Sequence, residues 1–348
     1  MDKTFWTQFV DSRSDNRKSK IQNPKWAGFL AVLVLLAGSV GMAQAQQPNK
    51  IPRIGLLWGT GPESPNLEAF RQGLRDLGYI EGKNILVEYR YLEGQLDRIP
   101  SLVAELVQLK ADVLVLVTLS SIRAAKQATK TIPIVIVTNV DPVATGLVDS
   151  LGRPGANITG LTRLTRELSG KRLELLKETI PGVTRVGVLW NTNAAGPVIS
   201  FKEYEAAARA MKVVVQSIEV RGPKPDLEGA FQAATKGRTS ALIAVTDALL
   251  SRSRKQIADL AIKNRLPSMF EASDYVGAGG LMSYASNDAG NFRRAAYYVD
   301  RILKGANPAE LPVEQPMRFE LFINLKTATQ IGVTIPPNVL ARADKVVR

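Results

Sequence analysis

The sequence predicts an α/β protein built as two doubly wound parallel-sheet lobes. Three observations lead there. Short apolar runs of strand length alternate with helical stripes from about residue 51 onward. The phrase RIGLLWGTG at 53–61 returns as RVGVLWNTN at 185–193, so one strand-like unit is written twice. The chain's 348 residues leave room for two domains.

Taken in order, Ile54–Trp58 is an apolar run suited to a strand buried on both faces. Ser64 and Pro65 then open a helix whose stripe is Leu67, Phe70, Leu74 and Leu77, and Gly78 ends it. Ile85–Tyr89 is a second strand, and Leu102, Leu106 and Leu109 mark a second helix. Val113–Val117 is a third strand, followed by a polar loop at 118–121 and a helix carrying Ala124, Ala125 and Ala128. Ile134–Thr138 is a fourth strand. The pattern restarts with a helix through Leu173, Leu176 and Ile180, which Pro181-Gly182 stops, and a strand at Val186–Trp190. A helix over 201–211, a strand at Val213–Ile218 and a helix capped by Asp226 come next. A strand at Ala241–Val245, a helix over 253–264 and a strand at Ser268–Glu271 complete the series. Such alternation implies parallel strands joined by right-handed crossovers, with helices on both faces of each sheet. Leu281–Tyr284 reads as a further strand, Phe292–Leu303 as a helix, and the Pro-rich 308–312 as a connector.

Residues 1–45 read as a leader. Lys25 precedes the apolar run AGFLAVLVLLAGSVG at 27–41, and Ala43-Gln44-Ala45 supplies the small residues of a cleavage site. The run is shorter than the roughly 20 residues that span a bilayer. The expected mature start is Gln46, with export to the periplasm or another extracytoplasmic space; an uncleaved membrane anchor is the alternative.

Composition narrows the chemistry. The chain has no Cys and no His, which removes disulfides, thiolate sites, Ser-His-Asp hydrolysis and His-based metal centres. No metal or cofactor is expected. GTGPES at 59–64 only begins a dinucleotide fingerprint, because Ser64 stands at its third glycine. The formal net charge is +13, but the basic residues after 25 are dispersed among acids, so no nucleic-acid partner is expected.

In open α/β sheets ligands bind beyond the carboxyl ends of the strands. That rule selects the loops Trp58-Gly59-Thr60, 118–121, 139–142, 191–194, Thr246-Asp247 and 271–274. The expected ligand-binding residues are Trp58, Gly59, Thr60, Thr118, Ser120, Ser121, Asp141, Asn191, Thr192, Asp247, Glu271 and Asp288. They are chiefly small hydrogen-bonding residues, suited to a polar solute. Trp58 and Trp190 end their strands at matching places and could stack on a ligand or pack beneath the loops. Asp141 before Pro142 suits an ammonium partner and equally an Asx turn. Asp247 and Asp288 suit helix caps as well as ligand contact.

Three segments carry a resemblance: DPVATGLVDSLGRPGANITG (141–160), KRLELLKETIPGVTRVGVLWN (171–191) and ILKGANPAELPVEQPMRFELFINLKTATQIGVTIPPNVLARADKVV (302–347). Together they resemble the ABC-transporter substrate-binding protein family, which includes tryptophan- and aromatic-amino-acid-type binders. Ala156 stands where the family usually has a second Gly, and the loop Thr118-Leu119-Ser120-Ser121 differs from the type usual there. The resemblance implies a type I periplasmic-binding-protein fold with three chain crossings. Lobe one would be 51–163 plus 281–313, and lobe two 164–280 plus 314–348. It implies a non-enzymatic, monomeric solute receptor that closes on a small polar ligand, such as an amino acid, and delivers it to a membrane permease. An exported α/β enzyme with a nucleotide-type cofactor and a ligand sensor for a membrane receptor are the alternatives.

Overall fold

β1 (Arg53–Trp58) lies inside a five-stranded sheet, with β2 (Leu86–Tyr91) on its outer side and β3 (Val113–Leu116) on its inner side. β4 (Ile134–Thr138) and β5 (Ile158–Thr162) extend it, and every pairing is parallel. The structure is a computed structural model that describes residues 50–163 and 168–348. The expected leader lies outside the described residues.

Side chains alternate across the strands, so each strand serves two cores. Ile54, Leu56, Val113, Val115, Val135 and Val137 face α1 (Pro65–Asp76) and α10 (Asp288–Leu303). Leu57, Leu114, Leu116, Ile134 and Ile136 face α2 (Ile99–Gln108) and α3 (Leu119–Ala128). With helices on both faces, these strands read as near-continuous apolar runs rather than alternating ones.

β6 (Arg185–Asn191) holds the same place in a seven-stranded sheet. β7 (Val214–Val220) forms its edge, and β8 (Ala241–Ala244), β9 (Ser268–Phe270) and β10 (Met282–Ser286) follow in parallel on the other side. The two similar phrases are therefore the first strands of two sheets that share the strand order second-first-third-fourth. β11 (Phe319–Asn324) then joins β10 antiparallel, and β12 (Lys345–Val347) completes the sheet. α4 (Ser169–Thr179) and α5 (Ala195–Ala210) cover one face, where Leu173, Leu176 and Tyr204 pack on Val186, Val188 and Ile243. α6 (Leu227–Lys236), α7 (Ala248–Arg252), α8 (Arg254–Lys263) and α9 (Asp274–Gly277) cover the other.

The chain passes between the sheets at three places: between Arg163 and Leu168, at 286–288, and at 314–319. The exchange expected at residue 281 falls after Ser286 instead. Met282–Ser286 hydrogen-bonds to β9 and β11, so this strand belongs to the second sheet, and only α10 after it packs on the first. β5 was not expected. Its sequence ITGLT carries a glycine and two threonines, yet all five residues are buried.

Gly160 in β5 has φ +133°, and a Cβ there would lie 2.2 Å from the Ile136 carbonyl oxygen. Gly160→Ala should therefore cost about 3 kcal/mol or more, since it adds a clash to a strained backbone. Gly152→Ala, with open space around it, should cost less than about 1 kcal/mol. Urea unfolding of the two variants checks the difference, and equal midpoints would show that β5 is not packed as described.

Candidate functional site

Strands of both sheets end, and several helices begin, around one cavity of about 1000 Å³ including its open mouth. From the first lobe come Trp58-Gly59-Thr60 after β1, Thr118-Leu119-Ser120 after β3, and Thr138-Asn139-Val140 after β4. Ser64 and Asn66 at the start of α1 join them. From the second come Ala194 to Gly196 at the start of α5, Thr246 to Ala248 after β8, and Ala272 and Asp274 after β9. Arg163, beside the first crossing, and Asp288, just past the second, complete the wall.

The lobes touch across this cleft. The Asn139 side-chain amide donates to the Thr246 carbonyl at 3.4 Å. The Gly59 backbone runs so close to Ala248 that a Cβ on it would lie 2.7 Å from the Ala248 Cβ.

Six buried side-chain atoms on the wall have no hydrogen-bond partner among the described residues. They are Thr60 Oγ1, Asn139 Oδ1, Arg163 Nε, Thr246 Oγ1, Asp274 Oδ1 and Asp288 Oδ1. Native interiors pair nearly all such atoms, because a buried polar atom left unpaired costs about 1–3 kcal/mol. A cluster drawn from both lobes marks a surface shaped for a polar guest.

Charge is concentrated in the same place. Arg163 Nη2 donates to Asp288 Oδ2 at 2.9 Å, and both side chains are 8% exposed. Arg254 lies 3.8 Å from Asp274. Burial lifts the Asp288 carboxyl to about 6, against the pull of the Arg163 guanidinium. Asp247 is also raised to about 6 by loss of solvent, opposed by the backbone N–H of Leu250 and the side chain of Asn191. Burial raises Asp274 as well, with Arg254 opposing.

Of the residues expected to bind ligand, Trp58, Gly59, Thr60, Thr118, Ser120, Asp247 and Asp288 line the cavity. The other five do not. Ser121 is spent on a capping box, accepting from the Thr118 backbone N–H while Thr118 Oγ1 accepts from the Ser121 N–H. Asp141 makes the Asx turn: its Oδ1 accepts from the Val143 and Ala144 N–H groups. Asn191 donates to Asp247 Oδ2 at 2.6 Å, from behind the wall. It borders a smaller neighbouring cavity with Asn193, and Thr192 faces neither space.

Glu271 is 1% exposed beneath the cleft. It accepts from Tyr204 Oη at 2.8 Å and from the Thr246 N–H at 2.7 Å, with Arg172 3.4 Å away. Its role is to hold the Thr246 peptide in place from below, and burial raises its carboxyl against the Arg172 charge.

The matching tryptophans also diverge. Trp58 lines the cleft on a tilted contact with Phe292, ring centroids 5.0 Å apart. Trp190 stacks on Phe201 at 4.6 Å, away from the cleft, and its Nε1–H donates to Ser217. Ser64 begins α1 without a side-chain cap bond, so its hydroxyl is left to the cavity. Asn287 takes the cap expected of Asp288, which frees that carboxylate for Arg163.

Arg163, Arg254 and Phe292 were not anticipated. Arg163 follows a strand that was not recognised, and Arg254 and Phe292 lie inside predicted helices. The one signal in reach was the strand-end rule, which applies to Arg163 once β5 is known.

Comparison with known proteins follows the same lines. Residues 64–347 match the model of the family described as ABC transporter substrate binding protein. A curated tyrosine-binding protein of Clostridioides difficile is 28% identical over 272 residues, covering 76% of this chain and 77% of that protein. A conserved domain protein from Vibrio cholerae has a similar structure, with a TM-score of 0.77 and 30% identity over 85% of this chain and 100% of that one. So has an ABC domain in complex with L-Trp from Streptococcus pneumonia, with a TM-score of 0.76 and 23% identity over 85% of this chain and 99% of that one.

Asp288 yields a stability prediction. A buried acid whose pKa rises on folding binds its proton more tightly in the folded state. Its stabilising contribution is therefore complete below the unfolded value near 4 and is lost as pH rises through about 6. Between pH 5 and 7.5 the unliganded wild type should lose on the order of 1 kcal/mol that Asp288→Asn does not lose. Parallel denaturant titrations check this, and identical pH profiles for the two proteins would contradict the burial of Asp288.

Proposed function

The chain belongs to the ABC transporter substrate-binding protein family, and on that premise we propose that it is the extracytoplasmic solute receptor of an ABC-type importer. Its ligand is a small zwitterion of the amino-acid class, gripped between the lobes. One observation carries this reading: the unpartnered buried atoms come from both lobes and from two of the three crossings, and they converge on one cavity.

The donor and acceptor balance indicates the ligand's chemistry. Asn139 Oδ1, Asp274 Oδ1 and Asp288 Oδ1 can only accept while the acids are ionised. They call for a guest with several N–H donors and a positive charge, which an ammonium supplies. Arg163 Nε can only donate. It suits a carboxylate, as do the starts of α1, α3 and α5, whose dipoles point their positive ends into the cavity. Trp58, Leu96, Val117 and Phe292 offer apolar wall for a side chain. The tyrosine-binding relative and the L-Trp complex of the structural neighbour support amino acids with aromatic side chains as the first probes.

Function follows from sharing the bonds between lobes. An open form satisfies only part of the ligand, and the closed form satisfies all of it. Ligand therefore shifts the population toward closure by its difference in affinity for the two forms. A monomer that presents both lobe surfaces in fixed register is what a membrane permease would read.

Calorimetry with L-tyrosine and L-tryptophan tests the proposal. At least one should bind, while the matching deaminated acid should bind at least about tenfold more weakly, because it strands buried acceptors. Asp274→Asn and Asp288→Asn should each weaken binding about tenfold or more. Asp141→Ala should change it less than about twofold, since that carboxylate only holds a turn. Affinity should fall as pH drops through about 6, where Asp288 takes up its proton. Equal affinity for the amino acid and its deaminated form would overturn the zwitterion reading.

A further inference from the structure

Outside the ligand cavity, the lobes meet at a second place. The loop after β2 turns sharply at Glu93 and Gly94, whose φ values of 49° and 82° both lie in the left-handed region. Two such residues in succession aim the Glu93 carbonyl away from its own sheet and toward the second lobe. Arg252, the last residue of α7, meets it there. Its Nη1 donates to the Glu93 carbonyl at 2.7 Å, and its Nη2 donates to the Pro223 carbonyl of its own lobe at 2.9 Å. The bond to Pro223 fixes the guanidinium plane, so little freedom is lost when the other arm reaches across. Gly94 packs beside it: a Cβ there would lie 3.4 Å from Pro223 Cα and 3.5 Å from the Leu249 side chain.

We propose that Arg252 is a positioning residue for binding, a clasp across the mouth of the cleft that favours the closed form whether or not ligand is present. The inference rests on the hinged-closure reading. The clasp touches no atom of the ligand cavity wall through its own bonds, although Ser251 beside it lines that wall. It therefore acts on the open–closed equilibrium alone. Apparent affinity scales with the fraction of protein in the competent form, so the clasp raises affinity without contacting solute.

The chain has no cysteine, so spin labels can be placed at will. Lys130→Cys and Lys236→Cys put one label on an exposed site of each lobe. Pulsed electron resonance then reads the lobe-to-lobe distance without ligand and with saturating L-tyrosine or L-tryptophan, whichever calorimetry shows to bind. In the unliganded protein Arg252→Ala should lower the closed-to-open ratio about three- to tenfold. Glu93→Gln should leave the ratio unchanged, because the acceptor is a peptide carbonyl. Thermal unfolding should be near wild type for both variants, since Arg252 is exposed. If the distance responds to ligand but Arg252→Ala matches wild type, the clasp is refuted and hinged closure stands. If Glu93→Gln reproduces the Arg252→Ala shift, the carbonyl clasp is refuted in favour of side-chain attraction. If no distance changes with a ligand that calorimetry shows to bind, hinged closure fails and the clasp with it.

Discussion

Arg163 and Asp288 meet where the chain twice leaves one sheet for the other. Their ion pair is buried, and each keeps one atom unpaired toward the cleft. Removing one member of such a pair would strand a charge in low dielectric, which is far more costly than the pair's net contribution. The pair therefore ties two of the crossing segments together at the cavity wall and leaves one donor and one acceptor facing the cavity. In the proposed binding mode, structural and binding roles are joined in the same four atoms.

The rest of the cleft depends on how α/β layers are wound. Parallel strands send their carboxyl ends, and the helices that follow send their amino ends, to the same edge of the sheet. Two lobes with the same winding, set edge to edge, collect polar loop residues and helix dipoles in one space. Beneath the second lobe's wall, Glu271, Tyr204 and Arg172 form a fully buried polar group, which reaches the surface layer through the Thr246 N–H. It anchors the backbone at Thr246, whose carbonyl Asn139 meets from the other lobe.

Much of this was legible in the sequence, for reasons that differ by element. β1, β3, β4, β6 and β8 are continuous apolar runs because both faces of each sheet are covered, and periodicity reads such runs well. β5 escaped because Gly160 and its threonines look like a turn, although burial selects them. β11 joins by antiparallel pairing from a long, irregular tail, and local pattern carries no record of that partner. The strand-end rule found the loops of the cleft but could not rank the residues within them. Ser121, Asp141 and Asn191 are the same residue types as true wall residues, yet capping, turn-making and support of a neighbour use up their polar atoms. Arg163 was invisible for the converse reason: a lone basic residue gains meaning only from the acid that a distant crossing brings to it.

A crystal structure of the protein with its bound solute would decide between a shared grip and a one-sided one. The solute's nitrogen should sit within hydrogen-bond distance of Asp288 and of Asn139 or Asp274, with atoms of both lobes on it at once. A solute held by one lobe alone, with these acceptors still unpaired in a closed cleft, would contradict the reading of the cleft as a joint binding surface.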